Sequence, residues 1–458
     1  MSELNVEGTN SLLEITLRML EKYPLCDSCL GRQFALLGFG MDNRERGRAI
    51  KTVLAMKAHE MTFSRERKIK RKGATILKLL ASNGSFRMAA DLLRKMGRKR
   101  LPKERKCFLC ENRFENLQPL IDKVINVLAD YEFDNFLVGI KLPLEVEERE
   151  DEFKSEFGIQ YGEDARNELS RIIGKELSQR LGKQVNFTKP QIVVLLNPFT
   201  EKVELQVNSL YIAGRYRKLI RGIPQSKWIC NKCRGKGCQR CNWTGKLYPE
   251  SVEELIAKPV LEMTLGEDTS FHAAGREDRD ARMLGQGRPF VIEVKKPKKR
   301  NIDLEELERR INEYAKNKVE VLNLKFADKA LVNKIKAMES AQKIYRVVVK
   351  FDRDITDEEI VKLERELTGT VIHQRTPIRV LHRRADKVRE KQIYKIKIKR
   401  LSENSVEMRI RCQGGLYVKE LVTGDKGRTK PSVSSILNVN AEPVELDVLN
   451  VLVKGGIV

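Results

Sequence analysis

Eight of the nine cysteines in this 458-residue chain occur as four Cys-x-x-Cys pairs, and no other feature constrains the fold as strongly. Two intervening residues allow both sulfur atoms of a pair to reach one tetrahedral metal ion. Disulfide bonds and ordinary buried thiols are the alternatives. Because four thiolates leave no open position for water, we expect structural rather than catalytic zinc. The paired residues are Cys26, Cys29, Cys107, Cys110, Cys230, Cys233, Cys238 and Cys241.

The two predicted zinc sites differ in how far apart their cysteines lie in the sequence. The stretch CNKCRGKGCQRC at 230–241 holds two pairs joined by a turn in which Gly235 and Gly237 permit a tight backbone path. The pair Cys26/Cys29 has to meet Cys107/Cys110 across a long stretch of chain. That pairing rests only on the fact that neither pair has another partner, and Cys412 is left over.

The chain carries a large excess of positive charge, with 88 Lys and Arg against 64 Asp and Glu and a formal net charge of +24. Such an excess indicates a polyanionic partner. No apolar run approaches the ~20 residues that a membrane span requires. The start, MSELNVEGTN, has acids where a signal peptide would have bases and an apolar segment. We therefore expect an intracellular, cytoplasmic protein that does not bind membranes.

Basic residues concentrate in the N-terminal part, after a helix predicted at 9–23 for which Thr9 and Asn10 are candidate caps. We expect them to form an RNA-backbone surface on a zinc-stapled module, because acids are nearly absent between them. Solvated helix faces are the alternative. The clusters are RERKIKRK at 65–72, RKMGRKR at 94–100 and KERK at 103–106.

Between 115 and 225 the pattern becomes that of a small α+β domain. The stretch DARNELSRIIGKELSQRLG at 164–182 predicts a helix that ends near Gly182. Two strand-like stretches follow it, QIVVLLNP and KVELQVNSLYIAGRY. With the ending LYIAGRYRKL, this order resembles the THUMP module of tRNA-modifying enzymes, which grips the acceptor end of the RNA. Another small α/β domain is the alternative.

The candidate chemistry lies in GREDRDARMLGQGRPF at 275–290, where acids, arginines and glycines alternate. An aspartate held ionised by arginine neighbours can serve as a nucleophile or a base. A solvated turn is the alternative. The glycines at 285 and 287 also suggest a phosphate-binding turn. No strand and helix flank them in nucleotide-fold fashion, so we exclude a dinucleotide site.

Four motifs together resemble a pseudouridine synthase family of archaea and eukaryotes, in its archaeal type. The resemblance extends over nearly the whole chain, because the N-terminal cysteine pairs match the family's zinc-binding accessory domain. It implies a THUMP-like domain and isomerisation of uridines 54 and 55 in the T arm of tRNA, without a cofactor. The motifs are residues 275–290, KIYRVVVKF at 343–351, QRTPIRVLHRR at 374–384 and GGLYVKELVTGDKGRTKPS at 414–432.

The resemblance also implies roles for individual residues. It places the family's catalytic aspartate at Asp278, with Asp280 as a competitor by proximity. As a carboxylate, Asp278 would either add to the flipped base or assist glycosidic cleavage. We expect Arg276 to pair with this carboxylate and keep it charged. Tyr345 matches the active-site tyrosine whose ring would lie over the extruded base; a core tyrosine is the alternative.

Further substrate contacts are expected in the last hundred residues. Tyr417 matches a substrate-contacting tyrosine, and Lys419 would contact either a phosphate or the aspartate. Residues 375–400 hold eleven Lys or Arg against two acids, which we interpret as a loop and strand pair that grips the RNA backbone. His373 and His382 are expected to be polar contacts, since the reaction needs no imidazole.

The sequence thus predicts an α+β protein whose catalytic domain has a mixed, mainly antiparallel sheet. We expect a monomer. The predicted parts are a zinc-binding basic module at 1–114, a THUMP-like domain at 115–225, a zinc-ribbon connector at 226–250 and the catalytic domain at 251–458. In the last part we expect helices at 303–323 and 356–368, the second capped by Thr356, and strands at 344–351, 393–400 and 406–412.

Two other functions were weighed against the enzyme. A non-catalytic zinc-containing tRNA-binding protein explains the charge and the cysteines but leaves Asp278 without a purpose. A different THUMP-bearing enzyme, such as a methyltransferase, would need a nucleotide or methyl-donor fold, and the sequence shows no strand–Gly-x-Gly–helix unit or phosphate loop.

Overall fold

A computed structural model of the chain describes residues 11–452, and its packing divides the chain after Val207 into two compact units. The four-part division at 114, 225 and 250 stays a prediction. Across residues 11–452, no helix is long and apolar enough to cross a lipid bilayer.

The first unit combines a helical N-terminal part with a small sheet covered by helices. Its helices are α1 (Leu12–Lys22), α2 (Asp27–Gly31), α3 (Asn43–Thr62), α4 (Arg67–Ser82), α5 (Arg87–Lys95), α6 (Gln118–Leu128), α7 (Leu144–Phe157) and α8 (Ala165–Leu181). Its strands are β1 (Asn135–Ile140), β2 (Gln184–Val185), β3 (Ile192–Asn197) and β4 (Lys202–Val207), in the order β2-β1-β3-β4. β1 is parallel to β2 and β3, and β4 is antiparallel to β3.

Local sequence signals explain the ends of two of these helices. Helix α1 begins after Ser11, whose side chain accepts a backbone N–H and completes a capping box. Thr9 and Asn10, the predicted caps, lie outside the described residues. The helix predicted at 164–182 is confirmed as α8, and Gly182 ends it in the left-handed conformation at φ 63°.

Helices α2 and α3 pack so closely that both need glycine at the contact. A Cβ on Gly47 would lie 1.9 Å from the carbonyl oxygen of Asp27, and one on Gly31 would lie 1.8 Å from that of Asn43. Cys26 caps α2, so this contact fixes the first cysteine pair in the core of the unit.

The second unit is built on one large sheet. Its helices are α9 (Val252–Thr264), α10 (Leu304–Tyr314), α11 (Lys329–Ala337), α12 (Asp357–Leu367), α13 (Val418–Thr423) and α14 (Val433–Leu437). Its strands are β5 (Leu210–Lys218), β6 (Asp268–Ala273), β7 (Arg282–Lys295), β8 (Val319–Ala327), β9 (Gln342–Phe351), β10 (Val371–Arg375), β11 (Val388–Ser402), β12 (Ser405–Cys412), β13 (Thr429–Lys430) and β14 (Ala441–Leu452).

The sheet runs in the order β13-β10-β11-β12-β9-β14-β7-β5-β8, with β6 paired to β7. All of these pairings are antiparallel except that of β14 with β7. The α+β class and the mixed, mainly antiparallel sheet are therefore confirmed. The predicted strands lie within β9, β11 and β12, and α12 begins at the predicted cap, Thr356.

The helix predicted at 303–323 is too long. Helix α10 ends at Tyr314 and β8 already begins at Val319. Asn317 between them has a φ of 64°, which interrupts helical geometry. The side chains of Val319 and Val321 are buried in the core of the second unit, and β-branched residues in such positions favour a strand.

The stretch at 202–216 was expected to form one strand but forms two. Its first half is β4, which ends at Val207 and pairs with β3, whereas its second half belongs to β5, which starts at Leu210 and pairs with β7 and β8. The break falls at the two polar residues Asn208 and Ser209, which the sequence analysis read as part of one continuous strand.

Candidate active site

The candidate catalytic motif begins in the loop 274–281, which connects the antiparallel neighbours β6 and β7. Gly275 has a φ of 77°, a conformation that glycine adopts without strain. Further along the loop, the backbone N–H of Ala281 donates to the carbonyl oxygen of Asp278 at 3.1 Å. These turns leave the carboxylate of Asp278 partly exposed at the edge of a cavity.

Asp278 lies between two cations. The guanidinium of Arg379 is 3.1 Å from Oδ2 of Asp278, and the ammonium of Lys419 is 3.7 Å from the same oxygen. Lys419 lies closer to Asp280, at 2.6 Å. Two cations therefore face two carboxylates at this edge of the cavity. The structure thus places Lys419 beside the aspartates.

Arg276 does not pair with Asp278, contrary to the prediction. Its exposed side chain lines the cavity and makes no ion pair with any residue from 11 to 452. Arg379 occupies the position beside the carboxylate instead, and its Nε is held by Glu420 at 2.6 Å. A role of Arg276 in substrate binding stays a prediction.

Asp280 differs from Asp278 in how firmly it is paired. Burial alone would raise the pKa of Asp280, but the hydrogen bond and the charge of Lys419 outweigh burial and lower the pKa below its usual value. Asp280 is therefore an ionised partner of Lys419.

A cavity of about 140 Å³ opens beside Asp278, and it brings the sequence-predicted tyrosines to the carboxylate. Both Tyr345 and Tyr417 line it. The rest of the wall mixes charged residues with six apolar ones, which offer a surface against which the face of a base can pack. The apolar wall residues are Ala281, Val380, Leu416, Val418, Leu446 and Val448.

Tyr345 lies in β9, with its ring partly packed on the core and partly facing the cavity. Burial raises the pKa of Tyr345 well above its ordinary value, so the hydroxyl stays protonated. No described residue accepts or donates a hydrogen bond to it. One part of the Tyr345 ring therefore packs on the core, and the other part faces the cavity.

Tyr417 is held by two contacts on its backbone and two on its side chain. Gln374 donates to its carbonyl oxygen at 3.0 Å and accepts its N–H at 2.8 Å. The hydroxyl accepts a hydrogen bond from Arg384 at 2.8 Å, and the guanidinium of Arg379 lies over the ring, 5.8 Å from its centroid. This places two arginines of the segment 375–400 at the cavity.

The residues that hold the backbone of the loop 274–281 in place were not found by the sequence analysis. Lys218, fully buried, donates to the carbonyl oxygens of Asp278 and Arg279 at 3.1 Å each. Burial lowers the pKa of Lys218, while the carboxylate of Glu277, 3.9 Å away, opposes that shift. Lys218 lies within the ending LYIAGRYRKL at 210–219, and no local pattern there marks it as a buried anchor.

Glu277 is the acid of this buried network. It accepts hydrogen bonds from the guanidinium of Arg288 and the hydroxyl of Tyr216, both at 3.0 Å. Gln225 donates to Tyr216 at 2.6 Å and to the carbonyl oxygen of Gly275 at 3.0 Å. Since each buried polar group has a partner, the network fixes the loop backbone. Both Glu277 and Arg288 lie within the motif at 275–290, where their spacing gives no sign of their contact.

The basic segment 375–400 consists of the last residue of β10, a loop and most of β11, so it holds one full strand rather than the predicted pair. Arg383 and Arg384 reach the cavity. His373 is exposed and lies 3.5 Å from Glu390, and His382 is exposed. That the segment grips RNA stays a prediction.

The cysteines form the two predicted quartets, and each can hold one metal ion. Adjacent sulfur atoms lie 3.6 Å apart at Cys26 and Cys110, and 3.8 Å apart at Cys233 and Cys241. A tetrahedron with Zn–S bonds of about 2.3 Å has edges of about 3.8 Å, whereas a disulfide requires about 2.05 Å. The pairing across the chain from 29 to 107 is confirmed, and the disulfide alternative does not fit.

The first quartet has a buried cation beside it. Arg32 donates to the sulfur of Cys29 at 2.8 Å and to Glu150 at 3.0 Å. Four thiolates around a divalent ion leave two excess negative charges, which a guanidinium partly neutralises. This donor set therefore suits a structural thiolate-bound metal.

Comparisons with known proteins agree with this arrangement. The family described as Pus10, C-terminal, matches residues 211–452, and the archaeal Pus10 THUMP domain matches residues 120–197. The tRNA pseudouridine synthase Pus10 of Methanocaldococcus jannaschii is 47% identical over 95% of this chain and 94% of its own. That of Methanothrix thermoacetophila is 41% identical over 98% and 95%. A solved Cbf5–Nop10–Gar1 complex matches at a TM-score of 0.29 and 16% identity, over 51% of this chain and 47% of that one, which is too weak to carry an argument.

The matched relatives define the class of protein as tRNA pseudouridine synthases. The chain belongs to the Pus10 family within that class. The resemblance inferred from the motifs is confirmed, including its archaeal type and its THUMP domain.

Proposed function

We propose that the chain isomerises uridine to pseudouridine at positions 54 and 55 in the T arm of tRNA, with Asp278 as the nucleophile. The reaction breaks the bond from N1 of the base to the ribose and forms one from C5, while C5 loses a proton and N1 gains one. The observation that carries the proposal is the carboxylate of Asp278 at a small cavity of mixed polar and apolar lining, between Arg379 and Lys419.

The electrostatics of the cavity support a nucleophilic carboxylate. Arg379 and Lys419 contact Asp278 from different elements, and each is held by a second acid, Glu420 or Asp280. The cations therefore stay in place whether or not a substrate is present. A carboxylate flanked by two fixed cations is suited to attack the extruded uridine, either on the base or in assisting glycosidic cleavage.

Tyr345 and Tyr417 would hold the substrate. A base removed from its stack loses a few kcal/mol of stacking, and the ring of Tyr345 would replace part of that contact. Its free hydroxyl can also hydrogen-bond to the base. Tyr417, with Arg384 on its hydroxyl, would contact the sugar–phosphate backbone beside the base.

The partner in this proposal is tRNA, bound by a monomer in the cytoplasm. The exposed clusters at 65–72, 94–100 and 103–106 and the basic segment 375–400 would contact phosphates, so binding should weaken steeply with salt. The reaction uses no cofactor. Zinc would fill both cysteine quartets as a structural ion, which supplies cross-links and no chemistry.

Pseudouridine formation on an unmodified tRNA transcript, mapped to the nucleotide, tests the proposal. Wild type should modify uridines 54 and 55, while Asp278→Asn should modify neither and still bind the tRNA. Asp280→Asn is the matched control, since it removes a neighbouring carboxylate of the same loop; it should retain measurable activity. Full activity of Asp278→Asn, or tRNA binding by wild type with no modification, would refute the proposal; the second result would favour a non-catalytic tRNA-binding protein.

A further inference from the structure

We propose that the base of the second cysteine ribbon completes a subsite for a nucleotide next to the target uridine, with Trp228 as its stacking platform. By the second cysteine ribbon we mean residues 226–248. The proposal rests on the proposed function, because it concerns the RNA strand that enters the same site.

The subsite is a second cavity, of about 220 Å³, also lined by the loop 274–281. Asp278, Arg276 and Lys419 line both this cavity and the reaction cavity, so the two are neighbours that share one wall. Another part of its lining comes from Pro224, Gln225, Ser226 and Trp228, which lead into the ribbon. A strand whose uridine enters the first cavity therefore has to place an adjoining nucleotide near the second.

Trp228 is the aromatic residue of this wall. Its ring is partly exposed and meets that of Tyr248 edge-on, with centroids 5.4 Å apart. Within the described range, no protein acceptor takes the indole N–H. A partly exposed aromatic ring at a cavity with a free donor suits a nucleobase, and base–aromatic stacking tolerates any base.

The charges of the cavity suit a phosphate. Arg276, Arg279 and Arg383 all line it, and among residues 11–452 none of the three forms an ion pair. Asp278 and Asp280 face the same cavity but are already paired with Arg379 and Lys419. Three guanidinium groups without an acidic partner among the described residues, one of them stacked on Tyr248, lie beside an aromatic ring, and nucleic-acid subsites use this combination for backbone and base.

The ribbon is fastened to its surroundings, so the platform is fixed in advance. Lys246 pairs with Glu254 of α9 at 2.7 Å, and the guanidinium of Arg279 lies 5.1 Å from the ring centroid of Tyr248. The second contact ties the ribbon to the catalytic loop itself. A preorganised platform costs little ordering entropy on binding.

Fluorescence tests the subsite without altering Trp228. The chain has two tryptophans, and Trp243 lies 76% exposed in the ribbon and does not line the cavity. In Trp243→Phe, the remaining emission comes from Trp228 alone. Intact tRNA should quench this emission. Two further tRNAs carry an abasic site at the nucleotide on the 5′ side or on the 3′ side of the target uridine, and one of these two should fail to quench it. Equal quenching by intact tRNA and both abasic tRNAs would overturn the proposal.

Binding measurements then test the energetic coupling. Trp228→Leu should weaken tRNA binding about 5- to 150-fold, the range expected for one stacked base, and the abasic site that removes the quench should cost wild type a similar factor. In Trp228→Leu the same abasic site should cost almost nothing more, whereas Trp243→Leu should bind and respond as wild type does. If the abasic site weakens binding by the same factor in Trp228→Leu as in wild type, the two losses of affinity are independent. That result would contradict a contact between Trp228 and that nucleotide.

Two controls separate this inference from other failures. Zinc content of Trp228→Leu shows whether the ribbon is intact, and Trp228→Phe, which keeps a ring, should restore most of the affinity. Because binding and fluorescence need no turnover, they report on the subsite even if the enzyme does not modify uridines 54 and 55. If wild type modifies uridines 54 and 55 but the affinity losses of Trp228→Leu and the abasic site are not coupled, the subsite is refuted and the proposed function is not.

Discussion

The ammonium group of Lys218 donates a hydrogen bond to the backbone carbonyl oxygen of Asp278 at 3.1 Å, from a side chain that is fully buried. The candidate nucleophile is therefore positioned through its backbone by a residue that never meets solvent. Its carboxylate is oriented separately, by Arg379 and Lys419. Positioning and charge are thus supplied by different residues.

The first prediction concerns Lys218 as a positioning residue. Lys218→Met should lower kcat about 100-fold, since an error of about 1 Å in a reacting group costs that much, while the Kd for tRNA should change little. Single-turnover kinetics and tRNA binding measure the two effects. The exposed Lys227 gives a matched control, and Lys227→Met should keep wild-type kcat. An equal loss in both variants, or a loss confined to Kd, would contradict the prediction.

The second prediction concerns the close contact of α2 and α3. Gly47→Ala should destabilise the protein by at least 1–3 kcal/mol, the usual cost of overpacking, because the new Cβ meets a backbone oxygen at 1.9 Å. Gly174→Ala in α8 should be neutral or stabilising by up to about 1 kcal/mol, because its nearest neighbour would lie 3.9 Å away. Thermal unfolding of the two variants measures the contrast, and similar midpoints would contradict it.

The third prediction is a pH dependence of stability at Glu168. Burial raises the pKa of this side chain to about 7, the charge of Arg32 opposes the shift and that of Glu163 adds to it. Between its ordinary pKa and pH 7 the folded state holds a proton that the unfolded chain has lost. Stability therefore falls as pH rises through this window, and the penalty is complete above pH 7.

Glu168→Gln removes that penalty. The variant should be more stable than wild type at pH 8, by up to about 3 kcal/mol, and should differ little at pH 4. Thermal unfolding at the two pH values measures the difference, with Glu145→Gln at an exposed position of α7 as the control. A gain that is the same at both pH values would show that Glu168 does not titrate in this way.

The fourth prediction concerns metal content. Elemental analysis should find two zinc ions per wild-type chain and one in either Cys29→Ser or Cys233→Ser. Cys29 is buried in the main core of the first unit, whereas Cys233 is partly exposed, so Cys29→Ser should lower the unfolding midpoint more. Cys412→Ala, outside both quartets, should keep two ions; a loss of zinc there would contradict the assignment.

Short-range signals in the sequence were sufficient for several elements. The Cys-x-x-Cys spacing predicted both quartets, Thr356 marked the start of α12, and Gly182 marked the end of α8. The helix ends and the quartet at 230–241 depend on residues a few positions apart, whose geometry the backbone fixes. The other quartet was paired only because neither of its cysteine pairs had another partner. The helix predicted at 303–323 failed because periodicity alone could not show that Val319 would join a sheet.

The sequence by itself determined the family, the cysteine pairs, the helices and strands with a clear local pattern and the candidate aspartate, since these follow from local spacing and motif identity. Only the tertiary structure decided that Arg379 rather than Arg276 pairs with Asp278, and that Lys218 supports the loop. The same holds for the break of the strand after Val207. These contacts join residues far apart in the chain, and their energies depend on which buried groups find partners, which no local pattern encodes.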